Sequence, residues 1–122
     1  MYVPDKVVSN PPIVVAIHSC ESSAQNYFNN NKIPWHQGSD KKGYITVWPS
    51  SPNKCWDASS SSSLTRDGGG DSTAISYMIK AAIKKYNADA TRIYVTGGSS
   101  GGEHSNVPII KQVPQYLYLT ID

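Results

Sequence analysis

Gly97-Gly98-Ser99-Ser100-Gly101 sets one serine between two glycines in a Gly-x-Ser-x-Gly pattern. A serine hydroxyl becomes a useful nucleophile when a sharp strand-to-helix turn pushes it into the open and a base takes its proton. Such a turn strains the serine backbone. Flanking residues without Cβ let neighbouring backbone pass close by. The amide of the next residue, Ser100, would stand at a helix start with no intrahelical acceptor, free to hold an oxyanion. The pentapeptide alone is a weak signal, because Gly/Ser-rich loops contain it by chance. Its place directly after the β-branched, aromatic run Arg92-Ile93-Tyr94-Val95-Thr96 strengthens it.

A nucleotide-binding turn is the competing chemistry for a glycine-rich junction. Gly97 to Gly102 fits neither Gly-x-Gly-x-x-Gly nor Gly-x4-Gly-Lys-Ser/Thr. Gly70-Asp71-Ser72 resembles another hydrolase signature, but it follows a long loop rather than a strand, and a helix cap explains it better.

Three apolar runs supply the elements that position Ser99. Ile13-Val14-Val15-Ala16-Ile17, Gly43 to Trp48 and Arg92 to Thr96 read as strands buried on both faces. Residues 2–8 read as an edge strand, with Pro4 barring a central position. A short helix is expected from about Ser22 to Phe28, and 29–42 reads as polar and irregular. The clearest helix begins at an Asp71-Ser72 cap. Ile75, Met78, Ile79, Ala82, Ile83 and Tyr86 lie on one stripe, with Lys80, Lys84 and Lys85 opposite as a solvated face. Between them, 50–70 is a long loop whose serine run Ser59 to Ser63 reads as flexible filler. Tyr116 to Ile121 is a possible last strand. Strands alternating with helices mean an α/β parallel sheet, with a site at the carboxyl ends of its strands. His18, the Trp56 loop and Ser99 all fall at that end.

The 122 residues bound the chain to one domain at most. Three Trp, eight Tyr and one Phe argue against disorder. Eleven basic and nine acidic residues give a net charge of +2, which points to neither nucleic acid nor an anionic membrane surface as partner. No apolar stretch reaches membrane-spanning length, and no signal peptide is expected from the N-terminus Met1-Tyr2-Val3-Pro4-Asp5. Cys20 and Cys55 each follow a strand-like run. They are either two unrelated buried thiols or a bridge closing about 35 residues in an oxidising compartment. No Cys or His pair has metal-ligand spacing, and no cofactor is expected.

Five motifs in order carry a family resemblance. They are His18-Ser19-Cys20-Glu21-Ser22-Ser23-Ala24, Gly43-Tyr44-Ile45-x-Val47-x-Pro49-Ser50, Cys55-Trp56-Asp57, Gly68 to Ser72, and Arg92-x-Tyr94 to Gly101. Together they resemble the fungal acetylxylan and feruloyl esterases of carbohydrate esterase family one, relatives of the polyhydroxybutyrate depolymerases. The resemblance covers roughly 2–107 and leaves 108–122 as a divergent tail. It implies a single, partial α/β-hydrolase domain with an incomplete, mainly parallel sheet ending soon after the serine turn. It further implies Ser99 as nucleophile, the backbone amides of Ser100 and Cys20 as the oxyanion hole, and a Cys20–Cys55 disulfide. Trp56 and His18 would lie along the substrate cleft, with packing under the loop as the other reading of Trp56. The implied substrate is acylated xylan or a small ester, and the implied location is extracellular.

The sequence departs from that pattern downstream. In this fold the catalytic residues run Ser, then Asp or Glu, then His. After Ser99 the only histidine is His104 and the only acids are Glu103 and Asp122. The one acid between nucleophile and histidine, Glu103, is adjacent to His104 and not usefully placed. A helix leaving the turn would carry His104 away from the Ser99 hydroxyl. His36 reads as a surface residue. The chain therefore reads as a truncated esterase with doubtful turnover. The alternative is a non-catalytic carbohydrate-binding or interaction remnant using Trp35, Trp48 and Trp56, against the plainer reading of these aromatics as core and loop packing.

Overall fold

The computed structural model describes residues 1–101 and 117–118. Its elements in chain order are β1 (Ile13–Ile17), α1 (Ala24–Phe28), α2 (Trp35–Lys42), β2 (Ile45–Val47), α3 (Ser61–Leu64), α4 (Asp71–Tyr86), β3 (Ile93–Gly97) and β4 (Leu117–Tyr118). The four strands form one sheet in the order β2-β1-β3-β4, and every neighbouring pair is parallel. Ile13 sits opposite both Ile45 and Ile93, and Ile17 sits opposite Gly97. The central strand β1 is thus flanked on both sides, which is why its five residues are all buried.

Strand pleating sends alternate residues to opposite faces. Ile13, Val15, Ile17, Ile45, Val47, Ile93 and Val95 form the main core with Ile75, Ile79 and Ala82 of α4. Burying an isoleucine this way contributes roughly 1.5–3 kcal/mol. Val14, Ala16, Thr46 and Thr96 are buried on the other face. There Trp48 donates from Nε1 to the Thr46 hydroxyl, and Phe28 of α1 meets the Trp48 ring edge-on at 5.3 Å. The β1-to-β2 and β2-to-β3 crossovers run in opposite directions across the sheet. Right-handed connection therefore puts their helices on opposite faces. The α1/α2 side leaves a cleft of about 700 Å³ bounded by Tyr27, Trp35, Tyr44, Ser19 and Gly98.

Several boundaries differ from the sequence reading. The segment 2–8 is not a strand: only Tyr2 pairs, antiparallel, with Thr46. Pro4, which has no N–H to give a ladder, is buried just beyond. The segment 29–42 contains the eight-residue helix α2. It has no side-chain N-cap and carries Gly38 inside it, so propensity does not announce it. Tertiary bonds hold it instead: Tyr44 Oη donates to the Trp35 carbonyl, and Ser39 Oγ donates to the Tyr44 carbonyl. The serine run is ordered as α3, capped by the Ser60 hydroxyl accepting from the Ser63 amide at 3.3 Å.

At α4 the cap is Gly70, not Asp71 or Ser72. The Asp71 carboxylate accepts the Asp57 amide at 2.9 Å, and the Ser72 hydroxyl donates to the Ser63 carbonyl. Both side chains tie down the 50–70 loop and are spent before they can cap. Met78 is 41% exposed rather than core, and the buried arc turns toward Ser72 and Ser76. Ser76 tolerates burial because its hydroxyl donates to the Thr73 carbonyl at 2.8 Å. Asn87, left-handed at φ 50°, ends α4 where expected. Glu103, His104 and the tail beyond Tyr118 lie outside the described residues.

Candidate functional site

Ser99 follows β3 by two residues, is exposed, and has φ 53°. A non-glycine residue in the left-handed region costs about 1–2 kcal/mol, and such strain is concentrated at functional turns. Helical backbone begins at Ser100. The strand-strained serine-helix sequence is therefore present in the backbone itself.

The flanking glycines have a steric reason. A Cβ on Gly101 would stand 2.5 Å from the carbonyl oxygens of both Ile17 and His18. A Cβ on Gly97 would stand 2.5 Å from the Gly101 carbonyl oxygen and 2.9 Å from that of Ile17. Both distances are shorter than any real contact, so the turn is seated against the end of β1 with no room for side chains. At Gly98 the nearest atom is Tyr27 Oη at 3.7 Å, and a side chain would fit.

That seating brings the 18–20 loop beside the serine turn. Cys20 is exposed, and its N–H has no hydrogen-bond partner among the described residues. The Ser100 amide opens a helical turn, where N–H groups lack an intrahelical acceptor. Ser100 Oγ is buried without a partner among the described residues.

Cys20 and Cys55 form a disulfide with their Cα atoms 4.2 Å apart. Around it, Glu21 adopts φ 60°, and its carboxylate lies 3.9 Å from Lys54 Nζ on the surface. The bond joins the 18–21 loop to the 50–57 loop. Inside the latter, Ser51 Oγ donates to the Cys55 carbonyl at 2.8 Å.

Behind the disulfide, His18 and Trp56 are buried, at 0% and 7% exposure. Their rings lie 5.0 Å apart, and Trp56 Nε1 donates to the His18 carbonyl at 2.9 Å. His18 Nε2 accepts the Ser51 amide at 3.1 Å, which leaves Nδ1 as the protonated nitrogen, donating to the Ser19 carbonyl at 2.8 Å. Where the sequence reading offers these two rings to the cleft, the structure buries both, and neither is among the residues bounding the cleft of about 700 Å³. The signal was available in part: His18 directly ends a fully buried strand.

His36 also departs from expectation. It is half-buried, stacked on Phe28 with ring centroids 4.3 Å apart, and its Nδ1 is buried without a partner among the described residues. Of the three tryptophans offered for sugar stacking, Trp48 and Trp56 are each 7% exposed, and Trp35 is half-buried at the edge of the α1/α2 cleft. The one His/Cys/Asp/Glu cluster among the described residues is Cys20, Glu21 and Cys55, whose two thiols are consumed by the disulfide.

The model of the family described as Esterase PHB depolymerase matches residues 1–116. Acetylxylan esterase A of Emericella nidulans is 48% identical over 109 residues, which cover 88% of this chain and 35% of that protein. Feruloyl esterase B of Neurospora crassa is 44% identical over 108 residues, 87% of this chain and 36% of that protein. The solved acetyl xylan esterase from Aspergillus awamori superposes with a TM-score of 0.83 at 43% identity, over 88% of this chain and 39% of that one. The fold is of the α/β-hydrolase type, and the chain spans about a third of the length of the curated relatives it matches.

Proposed function

Because the chain belongs to the Esterase PHB depolymerase family, we propose that it carries the nucleophile half of a serine carboxylic-ester hydrolase acting on acylated xylan or related small esters. Ser99 Oγ attacks the ester carbonyl carbon and gives its proton to a base. The amides of Cys20 and Ser100 take the charge that forms on the carbonyl oxygen. The alcohol leaves, and water then releases the acid and restores the hydroxyl. His18 and Trp56, both buried, pack against each other under the loop that carries Cys20. The observation that carries this reading is Ser99 itself, exposed at φ 53° on a turn seated against β1.

Within these 122 residues the only acid followed by a histidine after Ser99 is Glu103 with His104, sequence neighbours rather than residues from separate segments. The reading therefore predicts slow acylation and little turnover by these 122 residues, read as one partial domain. The relatives' printed activities supply the substrate class, and secretion is part of the same proposal, in keeping with the disulfide.

The test is exposure of the 122-residue chain to p-nitrophenyl acetate, following both released phenol and protein mass. A single acetyl adduct on the peptide containing Ser99, absent in Ser99→Ala, supports the reading. An unmodified Ser99 in a folded chain would remove it. Sustained hydrolysis of acetylated xylan, lost in Ser99→Ala, would overturn the expectation of slow turnover. Binding to insoluble xylan without acylation would favour the carbohydrate-binding alternative.

A further inference from the structure

His18 is one of the most completely buried side chains in the described structure and carries no role in the chemistry proposed above. Its two ring nitrogens are nevertheless both engaged, and the direction of each bond is fixed. Nε2 can accept the Ser51 N–H only when it bears no proton, so Nδ1 bears it and donates to the Ser19 carbonyl. The ring is neutral and held in one tautomer by two different segments of backbone.

The acceptor on the Nδ1 side matters most. The carbonyl of Ser19 and the N–H of Cys20 belong to the same peptide group, a rigid plane in which the two point in opposite directions. No cis peptide is present among the described residues. A bond that pulls the Ser19 oxygen toward the buried His18 ring therefore turns the Cys20 N–H away from it. That N–H is the one with no partner among the described residues, on an exposed residue beside the serine turn.

We infer that His18 is a positioning residue, whose Nδ1–H bond to the Ser19 carbonyl aims the Cys20 amide at the oxyanion of an acylating Ser99. The inference rests on the esterase reading of the site. The ring cannot swing, because the 50–57 loop grips it independently. Ser51 holds Nε2, the Trp56 ring packs against its face, and Trp56 Nε1 holds the His18 carbonyl. The Cys20–Cys55 bond then clamps the far end of the aimed peptide. The disulfide limits where Cys20 can go, and the imidazole decides which way its amide faces.

Three variants of the full chain separate aiming from mere packing. His18→Asn keeps a donor near the Nδ1 position and loses the acceptor for Ser51. His18→Gln keeps an acceptor near the Nε2 position and loses the donor to Ser19. His18→Phe loses both and retains the bulk. Removal of one oxyanion donor costs about 10²–10³-fold in rate. The acylation rate of Ser99 by p-nitrophenyl acetate is therefore expected to fall by about that factor in His18→Phe and His18→Gln, with the concentration for half-saturation little changed. His18→Asn should recover most of the loss.

Equal loss in Asn and Gln variants, or an unaffected Phe variant, would overturn the inference while leaving Ser99 as nucleophile. Nitrogen NMR of the wild-type ring gives a reading that does not depend on acylation. A proton on Nδ1 and none on Nε2, with a Cys20 amide signal that shifts in His18→Gln but not in His18→Asn, supports the aiming geometry. A proton on Nε2 overturns it. Failure of wild-type Ser99 to acylate removes the esterase reading, and the NMR result still decides whether His18 sets the Cys20 peptide.

Discussion

Gly101 and His18 touch through backbone alone: a Cβ on the glycine would lie 2.5 Å from the histidine carbonyl oxygen. Because neither partner in this contact is a flexible side chain, a methyl group there forces the serine turn and the 18–20 loop apart. Gly101→Ala is expected to lower unfolding free energy by about 1–3 kcal/mol, the usual cost of overpacking. Gly98→Ala, with its nearest neighbour at 3.7 Å, should stay within about 0.5 kcal/mol of wild type. Urea denaturation of the two variants in parallel checks both, and equal destabilisation would contradict the steric account.

Strain at Ser99 can be measured directly. Ser99→Gly removes the left-handed penalty and is expected to stabilise the chain by up to about 1 kcal/mol, offset in part by the added freedom of the unfolded glycine. Ser99→Ala keeps the Cβ and should gain nothing comparable. Both lose the acetyl adduct. A glycine variant no more stable than the alanine variant would mean that the turn is unstrained.

The disulfide closes a loop with a sequence separation of 35. The chain-entropy model assigns that closure about 4 kcal/mol. The double variant Cys20→Ser/Cys55→Ser should show a loss of that order by denaturant titration, large enough to unfold a marginal domain. A loss under about 1 kcal/mol would contradict the chain-entropy account of this bridge.

Asp89 supplies a pH dependence. The Thr91 hydroxyl, the Arg92 guanidinium and the Thr91 amide hold its carboxyl at about 2, below the ordinary 3.8. The folded value is depressed, so the stabilising contribution is complete above pH 4 and is lost as pH falls through about 2. Arg92 also donates to the Asn10 carbonyl at 2.7 Å, and the Asp89 amide donates to the Pro11 carbonyl at 3.1 Å. This corner joins the starts of β1 and β3. Asp89→Asn should therefore flatten the acid limb of a stability–pH curve between pH 4 and 2, with little change in its slope above pH 5. An unaltered acid limb would assign acid sensitivity elsewhere.

The parts of this structure most legible in the sequence are those built by local repetition. The runs Ile13 to Ile17 and Ile93 to Gly97 announce strands because every residue in them is apolar, β-branched, aromatic or small. The stripe of α4 announces a helix by its period. The serine turn is legible because sterics at Gly97 and Gly101 allow almost no other residue. Helix α2 was not legible, since its order comes from Tyr44 and Ser39 across a turn rather than from its own composition. Nor was α3, where a serine run reads as filler until Asp57 and Asp71 bond across it. The inward burial of His18 and Trp56 follows from a register of loops that no period encodes. Met78 shows the same limit on a smaller scale: the stripe fixes a face, while Ser63 and Ser72 fix its rotation.

The Tyr2–Thr46 bridge has a consequence for self-association. Thr46 gives its N–H to the Tyr2 carbonyl and receives the Tyr2 N–H in return, at 3.0 and 2.8 Å. A strand from another molecule approaching β2 from outside would need those same two groups. It must first displace Tyr2, whose hydroxyl is anchored by the Asp40 carboxylate at 2.5 Å and whose ring packs 5.7 Å from that of Phe28. Tyr2 thus serves as a plug against lateral growth of the sheet.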